Sequence, residues 1–154
     1  MRYTIIIITT VLLAIFAGAC TKTSAPAITV ENGRLRLPAP GQTIGAAYFD
    51  IVNTGSADTL LSVSGSLSKD IELHTHLHEN GIMKMRKVDN VEIKAKQTTV
   101  FKSGGLHVMI FNMKPLVKGA HIPLTLHFSK SGDVVVNLSV GMNADAMDHG
   151  KIKH

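Results

Sequence analysis

Apolar and polar side chains alternate along most of the chain after residue 27. Between Asp70 and His78, Ile71, Leu73, Thr75 and Leu77 fall on one set of positions, and Glu72, His74, His76 and His78 fall on the other. A period of two belongs to a strand with one buried face, because successive side chains of an extended backbone point to opposite sides. Strand-type patterning predicts strands over 28–31, 45–53, 59–64, 70–78, 82–88, 91–93, 98–102, 106–112, 122–128 and 134–140. Turn-forming residues punctuate them, among them Pro38, Pro40 and Gly41, Asn53 and Gly55, Asn80 and Gly81, Gly104 and Gly105, and Ser131 and Gly132. Many short strands, and no long segment with the helical period beyond the first twenty residues, argue for an all-β fold, an antiparallel β-sandwich or barrel.

The first twenty residues follow a different rule. Arg2 gives a positive start, Ile5 to Phe16 form an apolar run, and Ala17, Gly18 and Ala19 are small residues ahead of Cys20. A run of about a dozen apolar residues is short for a membrane-spanning helix and has the length of a signal-peptide core. Residues 1–19 are therefore expected to be a signal peptide. Cys20 is the only cysteine, and its place after small residues predicts lipid modification there, which would anchor an otherwise soluble domain to a membrane. Ala17 stands where such cleavage sites usually carry Leu, so cleavage after Ala19 leaving a free thiol is the alternative. Residues 20–26 then serve as a spacer, 27–140 as the β-sandwich domain and 141–154 as a flexible tail bearing Met and His.

Composition narrows the function classes. The formal net charge of +5 is spread out, with no Lys/Arg block and no interleaved aromatics, which gives nucleic-acid binding little support. It suits docking to an acidic partner or a lipid surface. One cysteine allows no internal disulfide, and a chain of this size buries roughly two-thirds of its unfolded surface, enough for a core in one monomeric domain. No nucleophile, base and orienting group stand together in the sequence, so an enzyme is not expected; Asp50, Asp58 and Asp70 read as strand-end or turn residues.

The chemistry lies in His and Met. His74, Met85, His107 and Met109 form the pattern H-x10-M-x21-H-x-M. On strands, His107 and Met109 share a face while Val108 and Ile110 take the other. Asn80-Gly81 is a two-residue hairpin signal that would pair the strand of Met85 with that of His74. With the Gly104-Gly105 loop bringing His107 beside them, four N and S donors would converge. Thioether sulfur is soft and uncharged, adds little for Zn, Mg or Ca, and suits Cu(I); a zinc site would more often use thiolate or carboxylate. Taken singly, a strand Met is usually core filler and a strand His is usually solvated or hydrogen-bonded. Met83 reads as a packing residue, and Lys84 and Arg86 as solvated. His76 and His78 read first as solvated and second as spare donors for Cu(II).

The residues that carry this pattern resemble the periplasmic copper chaperones called PCu(A)C. The resemblance runs from about Ala46 to Val140, through AAYFDIVNTGSADTLLSV, Leu73-His74, GIMKMRKV, GGLHVMIFNMKPL and GAHIPLTLHF. It implies a cupredoxin-like β-sandwich in which Cu(I) is bound by His74, Met85, His107 and Met109. It also implies copper delivery toward the CuA centre of cytochrome c oxidase, with subunit II or a Sco-type protein as the copper acceptor. The tail holds Met142, Met147, His149 and His154, which form a second candidate site for Cu(II) or extra copper. Copper storage or resistance would use the same ligands and differ in the fate of the metal. A blue-copper electron carrier would need a Cys thiolate beside two His, and no Cys lies near the motif.

Overall fold

The computed structural model describes residues 24–79, 81–114, 116 and 120–140. The expected signal peptide, Cys20 and the Met142, Met147, His149 and His154 tail lie outside them, as does Asn80 of the expected hairpin turn. The described residues form ten strands: β1 (Ile28–Arg36), β2 (Gly45–Asn53), β3 (Asp58–Gly65), β4 (Asp70–Glu79), β5 (Ile82–Lys87), β6 (Val91–Ile93), β7 (Gln97–Phe101), β8 (His107–Phe111), β9 (His121–Phe128) and β10 (Gly132–Val140). The strands follow one hydrogen-bonded path, β5-β4-β8-β2-β1-β10-β9-β3-β6, with β7 branching from β2.

Strand β2 joins the two layers. Gly45, Ala46 and Ala47 pair with β8, and Phe49 to Asn53 pair with β7. Its inward residues Ala47, Phe49 and Ile51 meet Val108 and Ile110 of β8, Phe101 of β7, Leu124, Leu126 and Phe128 of β9, and Leu138 of β10 in one apolar core. The Phe49 and Phe101 rings stack with centroids 4.6 Å apart, within the range that aromatic pairs favour. Antiparallel ladders dominate; β1 and β10 pair in parallel. Strand β1 continues past the expected Glu31 to Arg36 through a register shift between Glu31 and Arg34. Asn32 takes a left-handed conformation there (φ 55°), as an extra residue in a bulge does.

Two buried side chains secure the loops at one end. Asn53 Oδ1 accepts from the backbone N–H of Ala27 and Gly55, and its Nδ2 donates to the carbonyls of Ser56 and Lys94. Asp58 accepts from the N–H groups of Thr59, Lys130 and Ser131 and from the Ser131 hydroxyl. Every polar atom of both side chains thus has a partner, as burial demands. The β5-β4-β8-β2 side of the sheet turns one face to this core, which leaves its opposite face for chemistry.

Candidate metal centre

The pairing register decides which donors meet. In β4 and β8, His74 lies opposite His107 and Glu72 opposite Met109. In β4 and β5, His76 lies opposite Met85, His78 opposite Met83, and His74 opposite Lys87. Ala46 of β2 sits on the other side of Met109. Because Leu73, Val108 and Ala47 in the adjoining row point into the core, His74, His76, Met85, His107 and Met109 share the outer face. Glu79 pairs with Ile82 and Gly81 has a φ of 78°, which is the two-residue hairpin geometry expected between β4 and β5.

An open cavity of about 480 Å³ lies on this face. His76, Met85, His107 and Met109 line it, with Tyr48 and Ala46 from β2, Arg36 from β1 and Met83. His107 is its deepest donor, only 3% exposed. Its Nδ1 is 2.8 Å from the carbonyl oxygen of Gly105; a carbonyl only accepts, so Nδ1 carries the proton and Nε2 keeps a lone pair. Burial holds the His107 pKa below its usual value, against the hydrogen bond to Gly105 and with help from His76 and His74. The ring is therefore neutral, as a metal ligand must be.

The loop that aims His107 is a tight turn. Gly105 N–H donates to the Lys102 carbonyl and Lys102 N–H to the Leu106 carbonyl. Gly104 at its centre has a φ of 77°, the conformation that favours glycine.

His74 is tied on one side. Its Nε2 is 2.8 Å from Glu72 Oε2, and Lys87 Nζ donates to Glu72 Oε1 at 2.6 Å. Hydrogen bonds from Lys87 and then from His74 hold the Glu72 carboxyl below its usual pKa, so it is ionised and accepts from the His74 N–H. The remaining Nδ1 of His74 is buried without a hydrogen-bond partner, and so is Nδ1 of His76. Buried nitrogens of this kind are rare unless something pairs with them. The His76 and His107 rings stack at 5.1 Å, and those of His74 and His107 are 5.9 Å apart.

The sequence placed His76 in solvent; the structure half-buries it against His107. What brings it there is cross-strand register, which the period of two does not encode. His78 is exposed, and Met83 stands at the cavity rim, 51% exposed. Lys84 and Arg86 are exposed and pair with Glu79. Among the described residues no three of His, Cys, Asp and Glu converge as a metal-holding group; beside the imidazoles this face offers the Met85 and Met109 thioethers. Imidazole with two thioethers is a donor set that fits Cu(I).

A second polar alignment escaped the sequence. Ser64 Oγ is 2.7 Å from His127 Nε2, and His127 Nδ1 is 2.7 Å from Asp133 Oδ1, a Ser-His-Asp order assembled from β3, β9 and β10. The Asp133 side chain is 66% exposed, and none of the three lines the described cavity. With Asp133 largely in solvent and His127 about one-third exposed, the three read as a polar ladder on the sheet surface.

A sandwich with this topology is the cupredoxin-like fold of the PCuAC copper-chaperone domains. The apo PCuAC domain from PmoF1 is 26% identical, with a TM-score of 0.65 over 77% of this chain and 97% of that one. The Cu(I) form of DR1885 from Deinococcus radiodurans, solved in solution, is 26% identical, with a TM-score of 0.63 over 85% of this chain and 87% of that one. The copper-bound PCuAC domain from PmoF2, 21% identical with a TM-score of 0.63 over 77% and 96%, shares the fold. Residues 28–140 match the LpqE-like lipoprotein family model, and the chain belongs to that family. The protein RP573 of Rickettsia prowazekii is 31% identical over 98 residues, which is 62% of this chain and 54% of that protein. The chain therefore spans about half the length of that relative.

Proposed function

We propose that this protein is an extracytoplasmic copper metallochaperone that takes Cu(I) as cargo through His74, Met85, His107 and Met109. The observation that carries the reading is the shared outer face: Met85, His107 and Met109 line one cavity there, and His74, outside its lining, lies on the same face directly opposite His107, with no thiolate among the four. Thioether and neutral imidazole hold Cu(I) softly. Met85 is 44% exposed on an edge strand, so an incoming thiolate or thioether can displace it before the deeper His107 lets go. That order of exchange suits transfer rather than storage, and a carrier rather than a catalyst. A Cys-ligated electron-transfer site has no support, since the motif holds no Cys.

The acceptor is the CuA centre of cytochrome c oxidase subunit II or a Sco-type protein, a reading that rests on the family resemblance. We read the leader and Cys20 as directing the domain outside the cytoplasm onto a lipid anchor, a reading supported by the match to the LpqE-like lipoprotein family; labelling with a radioactive fatty acid, lost in Cys20→Ser, tests the anchor. The copper site is tested by anaerobic competition for Cu(I) against a chromophoric chelator. Wild type should bind one equivalent tightly, and Met85→Ala with Met109→Ala should lose it. Unchanged binding in the double variant would move copper to the Met142, Met147, His149 and His154 tail.

A further inference from the structure

We infer that His76, which lies outside the H-x10-M-x21-H-x-M pattern, is a copper ligand of this cavity and shares the second imidazole position with His74. The inference rests on the copper reading above and adds a residue to it. Three observations converge. His76 lines the cavity together with Met85, His107 and Met109, and it stands directly opposite Met85 in the β4–β5 ladder. Its ring is nearer to that of His107 than the His74 ring is, 5.1 Å against 5.9 Å. Its Nδ1 is buried and makes no hydrogen bond.

His74 differs in one respect that matters for ligand exchange. Its Nε2–H is engaged by Glu72, which Lys87 holds in turn, so the ring is fixed in tautomer and orientation, as ligating imidazoles commonly are. His76 has no such tether. With metal–nitrogen bonds of about 2 Å, two imidazoles on one ion have centroids roughly 4.5–6 Å apart. Both separations from His107 fall in that range. Among the described residues no three His, Cys, Asp or Glu side chains converge as a metal-holding group, and His74 and His76 accordingly serve as alternates beside His107 and the two Met. Copper held by the tethered His74 can shift to the untethered His76 without losing the thioethers.

The test is Cu(I) affinity of the full chain by anaerobic chelator competition, with copper K-edge absorption to count nitrogen and sulfur donors. Variants are His74→Ala, His76→Ala, His76→Asn and the His74→Ala/His76→Ala pair. Each single variant should keep one-to-one binding with the sulfur count unchanged and weaken it by about tenfold, and the pair should weaken it by far more than the two singles combined, the non-additivity of residues that substitute for one another. His76→Asn, which keeps a polar side chain, should match His76→Ala if the loss is of a ligand rather than of folding, and circular-dichroism melts of the metal-free variants check this. Affinity and donor count unchanged in both His76 variants, with binding abolished by His74→Ala alone, would overturn the inference. Failure of the underlying copper reading looks different: wild-type binding would then be insensitive to Met85→Ala with Met109→Ala.

Discussion

At the scale of single residues, Asp58 shows how a carboxylate becomes a structural part. Burial would raise its pKa, and the Ser131 hydroxyl with the backbone N–H groups of Thr59, Ser131 and Lys130 overrides this and holds it below the usual carboxylate value. The folded state thus binds its proton less readily than the unfolded chain. Its contribution is fully present above about pH 4 and is lost as pH falls through the lowered value. Asp58→Asn turns an amide NH2 toward N–H donors and should cost about 2 kcal/mol at neutral pH. Urea midpoints measured from pH 7 down to pH 3 should show the wild type losing stability at the acid end and the variant missing that component. Gly104 is a second such residue: a Cβ there meets nothing within 4 Å, yet φ is +77°. Gly104→Ala should therefore cost roughly 1 kcal/mol through backbone strain alone, read as a lower thermal midpoint, and should weaken Cu(I) binding by displacing the Gly105 carbonyl that orients His107.

At the scale of elements, β8 and β5 carry the proposed ligands under opposite conditions. Strand β8 is paired on both sides, by β4 and β2, and its Val108 and Ile110 are fully buried. Strand β5 pairs only with β4 and is exposed throughout. Few buried contacts mean cheap local opening. Amide hydrogen exchange should find β8 protected to near the global stability and β5 exchanging faster. Adding Cu(I) should slow β5 more than β8, because ligation links the Met85 strand to the rest; equal slowing in both would argue against Met85 as a ligand. This contrast also shows what the sequence could tell. Strand patterning and turn residues located all ten strands, and the i, i+2 spacing put His107 and Met109 on one face, since these are properties of residues close together along the chain; the set His74, Met85, His107 and Met109 came from the longer motif and is the proposed site. The place of His76 was not legible, because it follows from the partner across the ladder, His76 with Met85 and His74 with His107. The end of β1 was missed for a related reason: the extra residue between Glu31 and Arg34 breaks the alternation that marks a strand. The Ser64, His127 and Asp133 ladder comes from three strands and leaves no local trace.

At the scale of the molecule, the core and the proposed copper site occupy opposite faces of one sheet, which should separate stability from binding energetically. Phe49, Val108 and Ile110 lie in the core with no exposure, and the adjoining outward positions hold Tyr48, His107 and Met109. Phe49→Ala removes a buried ring that stacks on Phe101 and should cost about 3–5 kcal/mol, whether or not copper is present. Met85→Ala with Met109→Ala removes side chains from the outer face and should shift the metal-free unfolding free energy by no more than about 1 kcal/mol. Copper then adds a linkage contribution only where it binds: at free Cu(I) one hundred times the dissociation constant, this is about 2.7 kcal/mol. Denaturant curves with and without Cu(I) should accordingly separate the variants. Phe49→Ala should start from a lower midpoint and still rise on adding metal, while the Met variant should start near wild type and not rise. A large metal-free loss in the Met variant would mean that the thioethers support the core, and the two faces would then not be independent.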